Sequence, residues 1–225
     1  LVALASEQNN GQIIIKSAHS DSVSKTVIET EYTVDIDGAI KIKRQIDISD
    51  NNLPEIPRIG IKFTLPGDFN YVSWFGRGPH ESYWDRKQSA AIGLYSGSVW
   101  DQTFQYVRPQ ETGNKTDVYW MALEGDSTGL MAIGLPQFDG SVHQYSYEDL
   151  DYYPNSQKHG KLDIVPKNQT DWLIDYRQMG VGGDNSWGAK PMKKYTLYPG
   201  LYEHSFILVP FKIGSDLNRV SKRRI

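Results

Sequence analysis

The chain has 225 residues, 39% apolar and 12% aromatic, with 24 basic against 27 acidic side chains and no cysteine. That composition is globular, which excludes disorder and fibrous repeats, and a formal charge of -3 leaves no basic surplus for a phosphate backbone, so nucleic acid is not an expected partner. Without cysteine there are no disulfides, thiolate nucleophiles or thiolate zinc sites, and no run approaches the roughly 18 apolar residues of a membrane-spanning helix, so no membrane partner is expected.

The first residues, LVALASEQ, carry neither an initiator Met nor a signal-peptide pattern, and read as a cut inside a longer polypeptide. From Thr26 to Ser49 the apolar residues other than Val27 and Ala39 fall on even positions: Ile28, Tyr32, Val34 and Ile36 before Asp37-Gly38, and Ile40, Ile42, Ile46 and Ile48 after it. Directly opposed residues of a hairpin share a face, so even can face even only across a loop with an odd residue count. The pattern predicts a three-residue loop with Gly38 left-handed, a G1-bulge arrangement, and Glu29, Glu31, Lys41 and Lys43 on the solvent side. Further strands are predicted at 59–65, 71–75, 118–123, 130–135, 141–147, 172–178, 194–198 and 202–209, with Gly, Pro, Asn and Asp at nearly every junction. Only 147–153 looks like a helical turn, and the tail after Ile213 reads as polar and peripheral. With no sustained 3.6-residue period and no linker-like shift in composition, the expected fold is all-β, a large antiparallel sandwich formed as one domain over residues 1–225.

Three segments are candidates for chemistry. WFGRGPHESYWDRK, residues 74–87, gathers Arg77, His80, Glu81, Asp85, Arg86 and Lys87 around aromatics. Glu81 and Asp85 could serve as an acid/base pair with His80 as shuttle. Against this, carboxylates held beside Arg77 and Arg86 stay ionised and make poor proton donors, so a structural charge cluster is the expected role. YVRPQETGNKTDVYW, residues 106–120, places Glu111, Asn114, Lys115 and Asp117 between apolar strands, again suggesting charge pairing that fixes a loop. The five histidines show no pair at i, i+2 or i, i+4, so no metal site is expected.

The third segment, GVGGDNSWGAKP (residues 180–191), puts a Trp among glycines and small polar residues, where neither a helix nor an ordinary strand can form. An indole can lie flat on the C–H face of a sugar ring. Flanking glycines let backbone approach a ligand, and Asp184, Asn185 and Ser186 supply short hydrogen-bonding groups. Trp187 could equally anchor its own loop or dock on a neighbouring domain.

In order and spacing, IPRIGIKFTLPGDFNYVSWFGRGPHESYWDRK, YVRPQETGNKTDVYW and MGVGGDNSWGAKP resemble the C-terminal domain, or small chain, of family 2 glycoside hydrolases of the β-galactosidase type, over about residues 13–209. The resemblance implies a β-supersandwich similar to the galactose mutarotase fold, and hydrolysis of terminal β-D-galactosides by the full-length protein. It implies that Trp187 matches a tryptophan of the sugar platform, with Asp184 and Asn185 beside it, while the catalytic carboxylates and metal ligands lie in a separate barrel domain. The implied partners are a β-galactoside and that barrel domain of the same polypeptide, with a homo-oligomer left open, and no cofactor in this chain. Tyr119 and Lys115 stand where the family commonly carries Arg, which removes bidentate pairing there. Two other classes compete: a carbohydrate-binding or purely structural module, and an aldose epimerase, for which His143 with Glu148 or Glu203 are the only candidates.

Overall fold

The computed structural model describes residues 1–22, 24–48, 52–150, 163–185 and 187–225. Eleven strands lie among them: β1 (Ala3–Asn9), β2 (Gln12–Ser20), β3 (Val27–Val34), β4 (Ile40–Asp47), β5 (Arg58–Pro66), β6 (Tyr71–Gly78), β7 (Ala91–Ser98), β8 (Lys115–Glu124), β9 (Thr128–His143), β10 (Gln169–Gln178) and β11 (Leu201–Lys212). All pair antiparallel, in the order β1-β2-β3-β4-β11-β9-β8-β6-β7, with β10 paired to both β9 and β5.

The parity argument for the first hairpin holds. Ile28 faces Ile46, Tyr32 faces Ile42 and Val34 faces Ile40. Asp35 N–H donates to the Ala39 carbonyl at 2.8 Å, leaving Ile36, Asp37 and Gly38 as the loop, with Gly38 at φ +82°. Ile36, expected on the apolar face, instead sits 90% exposed at the loop tip. On the other face Glu29 and Lys43 are exposed, while Glu31 and Lys41 are half-buried.

One strand creates the sandwich. The segment predicted at 130–135 and the first three residues of the one predicted at 141–147 are joined in the single long β9, which ends at His143, short of the predicted boundary; its first half pairs with β11 and its last residues, Asp139–His143, pair with β10. Between them the chain turns a corner at Gly134–Gln137, where a Cβ on Gly134 would come within 2.7 Å of the Gln137 Cα. The partner strand β8 registers the corner as a jump, Trp120 facing Ile133 but Val118 facing Phe138. The corner carries the β5–β10 ribbon over the face of β4 and β11. The main core fills the gap, with Phe63 edge-on to Phe206 at 6.3 Å and tilted against Trp172 at 6.4 Å.

The opposite face of β8, β9 and β11 buries a second cluster that includes Trp120, Met131, Ile207 and Phe211. It is covered by the C-terminal tail, which is therefore not merely peripheral. Asp216 accepts the Asn218 N–H at 2.9 Å and so caps a short helix, α1 (Leu217–Val220). Leu217, Val220 and Ile225 pack on the cluster, and Arg223 pairs with Asp35 and Asp37 of the β3–β4 loop.

Other departures are local. The β1–β2 hairpin and β7 were not expected from the sequence. The strand predicted at 194–198 is a 3-10 turn over Lys193–Tyr195 followed by a single bridge, Ile56 to Leu197. The helical turn predicted at 147–153 is a 3-10 turn over Tyr147–Leu150, its remaining positions lying outside the described residues.

Candidate functional site: an exposed indole on a clamped loop

Residues 180–191 leave the end of β10 as an irregular loop. Trp187 is 91% exposed. Its backbone N–H donates to the Asn185 Oδ1 at 2.8 Å, so this Asn is occupied by the loop's own turn. Asp184 is exposed beside it, and Ser186 lies outside the described residues. The loop is pinched at its neck: a Cβ on Gly183 would come within 2.0 Å of the Ala189 carbonyl oxygen. Lys190 pairs with both Glu55 oxygens at 2.8 Å. Among the described residues nothing covers the ring.

The 74–87 segment lies at the foot of this loop. Glu81 pairs with Arg86 at 2.8 Å, as expected. It also accepts from Tyr106, from the Thr112 hydroxyl at 3.1 Å and from the Gly113 N–H at 2.8 Å, which staples residues 106–113 to the sandwich. The remaining pairings correct the expectation that Arg77 and Arg86 neutralise both carboxylates. Arg77 donates instead to Asp117 at 2.6 Å and to the carbonyls of Lys87 and Ala90. Asp85 meets no cation among the described residues; it accepts the backbone N–H groups of Val181 and Gly182, at 3.2 and 2.7 Å. Neither carboxylate is free for proton transfer. His80 is exposed and bonded to Ser89 at 3.1 Å.

Glu111 finds its cation 53 residues away, Arg58 at 3.0 Å. Burial raises the Glu111 carboxyl against the pull of Arg58. Asp117, at φ +54°, binds Arg77 and Lys87, which hold its carboxyl low despite partial burial. Asn114 donates to the Ser82 carbonyl at 2.8 Å. Lys115 lies buried over the Trp74 ring at 5.0 Å, its amine pushed down to about 8 by burial.

Sequence reasoning missed the buried group behind these residues: Arg58, Asp139, Asp175, Arg177 and Gln178. The one Nε proton of Arg58 goes to Gln178 Oε1 at 2.6 Å. Asp175, at 3.0 Å from the same nitrogen, thus receives charge proximity without a hydrogen bond. Burial pushes its carboxyl up to about 8, with Asp139 and Glu111 adding to the rise. Asp139 sits opposite it in the ladder, accepts the Gln178 N–H at 3.2 Å and is pushed up to about 6 by burial. Acidic residues in the middle of apolar strands were the available signal.

His143 is buried against Tyr145, ring centroids 4.7 Å apart, and burial lowers it to about 3. Glu148 and Glu203 are both exposed, so neither joins His143 around a sugar. Among the described residues no three His, Asp or Glu side chains converge as a metal cage requires.

These features define a sandwich that displays Trp187 outward while Asp139 and Asp175 lie buried and Glu81, Asp85, Glu111 and Asp117 are held by structural partners. Residues 2–208 match the family described as beta galactosidase small chain, and the chain belongs to that family. A beta-galactosidase of Priestia megaterium is 43% identical over 181 residues, covering 80% of this chain and 17% of that protein. One of Halalkalibacterium halodurans is 29% identical over 196 residues, 85% of this chain and 19% of that protein. The chain thus spans less than a fifth of the length of these curated relatives. Among solved structures, a galactose 1-epimerase from Lactobacillus acidophilus superposes with a TM-score of 0.45 at 7% identity, covering 93% of this chain and 66% of that one.

Proposed function

We propose that this chain is a single accessory domain of a β-galactosidase, in which Trp187 forms part of the wall of a sugar site. The catalytic carboxylates, and any metal, belong to a barrel domain outside these residues. The observation that carries the reading is the 91% exposed indole on a neck held at both sides, in a chain that matches under a fifth of β-galactosidase relatives. A terminal β-galactoside is the substrate, and the ring stacks on its apolar face. Retaining hydrolysis needs two carboxyl groups roughly 5 Å apart across the scissile bond. Here Glu81, Glu111 and Asp85 are each committed to structural partners, so the chain alone should not hydrolyse a galactoside.

The test is Trp187→Ala in the enzyme that contains this domain. Stacking contributes about 1.5–3 kcal/mol, which corresponds to a rise in KM of roughly 10- to 100-fold, with no change in thermal midpoint because the ring buries nothing in its own domain. An unchanged KM would show that the indole does not meet the sugar.

A further inference from the structure

We infer that Asp85 is the positioning residue for Trp187: its carboxylate clamps the loop backbone and so sets where the indole stands. This rests on the reading of Trp187 as a wall of the sugar site. Asp85 occupies the tip of a two-residue turn, Trp84-Asp85, closed by mutual hydrogen bonds between Tyr83 and Arg86 at 3.1 and 2.8 Å. Tyr83 is completely buried, so the turn is rooted in the sandwich, 96 and 97 residues from the amides it holds.

The two oxygens divide the work, Oδ1 accepting the Val181 N–H and Oδ2 the Gly182 N–H. Bonds from backbone amides to an ionised carboxylate are among the strong ones. Close approach depends on glycine, because a Cβ on Gly180 would lie 2.7 Å from the Asp85 Cγ and one on Gly182 3.2 Å from its Oδ2. Beyond Gly182 the chain enters the pinched neck directly and reaches the indole five positions later. The other fastening, Lys190 to Glu55, joins a largely exposed amine to a surface carboxylate and adds little rigidity.

The experiment compares Asp85→Asn, Trp187→Ala and the double variant in the intact β-galactosidase that contains this chain. Steady-state kinetics on a nitrophenyl galactoside are read alongside the fluorine resonance of 5-fluorotryptophan at position 187, assigned with Trp187→Phe. Asn keeps the shape of Asp but turns an NH2 group toward one of the two amides, so one clamp bond is lost. The expected result is a KM raised about 5- to 10-fold with kcat within about twofold, and a Trp187 resonance that shifts or broadens. In the double variant Asp85→Asn should add less than about twofold to the effect of Trp187→Ala, because residues acting as one unit are not additive. If Trp187→Ala raises KM and Asp85→Asn does not, or if the two effects multiply, the positioning role is overturned while the sugar-wall reading stands. If Trp187→Ala leaves KM unchanged, the sugar-wall reading falls; the fluorine resonance then decides the clamp alone, an unmoved line in Asp85→Asn overturning it.

Discussion

Replacing Asp175 by Asn should reduce the pH dependence of stability just above neutrality. Asp175 is 1% exposed and its carboxyl is pushed up to about 8 by burial, whereas in the unfolded chain it ionises near about 4. Between those values the native state keeps a proton that the unfolded state has released. Stability therefore falls as pH rises through the interval, by about 1.4 kcal/mol per pH unit for one proton. Asp139, pushed up to about 6 by burial, contributes with the same sign but only up to that pH. His143 and His204, lowered by burial to about 3 and about 4, act oppositely. The unfolded chain protonates them below about pH 6.5 and the native chain does not, so they raise stability with pH up to there and add nothing above. Lys115, lowered to about 8 by burial, makes stability rise again above that value. The window from about pH 6.5 to about 8 thus leaves out Asp139, the two histidines and Lys115; Glu111, also raised by burial, acts with the same sign as Asp175. Urea denaturation of the chain across it should show a loss to which Asp175 contributes roughly 2 kcal/mol, and Asp175→Asn, neutral at this position throughout, should lose about that much less. A wild-type profile that is level or rising there, or a variant with the wild-type slope, refutes the placement of the proton on Asp175.

Gly38→Ala should cost about 1–2 kcal/mol in the same assay, since φ is +82° while the nearest atom to an added Cβ, Pro210 Cγ, is 3.6 Å away; a neutral substitution would mean the loop relaxes freely. Glu81→Gln weakens the staple on Tyr106, Thr112 and Gly113. It should cost about 1.5–3 kcal/mol and speed limited proteolysis within 104–113, and an unchanged cleavage rate would show that other contacts hold that segment.

The local half of this structure was legible in residue order. Even-numbered apolar residues on both sides of Asp37-Gly38 dictated an odd loop, because pleating ties face to parity within one hairpin. The glycines and Pro191 around Trp187 likewise ruled out a regular element. The β1–β2 hairpin was also written locally: Asn10 and Gly11, at φ +47° and +82°, form the two-residue turn that Asn-Gly favours. Its strands carry too little burial to show an alternating pattern, and so it escaped notice.

What residue order could not supply was which distant groups meet. Glu111 pairs with Arg58 across 53 residues, Arg77 chooses Asp117 over the nearer Glu81, and Asp85 reaches amides nearly a hundred positions away. Those choices follow from the corner in β9, which folds the β5–β10 ribbon over the first sheet and carries the loop after β10 to the Tyr83–Arg86 turn. Sequence determined that an aromatic would stand in a glycine-rich loop among charged neighbours. Only the tertiary structure decided that the ring faces outward and that Asp139 and Asp175 face inward, because burial and charge pairing depend on proximity in space, whereas hydrophobic periodicity records only neighbours along the chain.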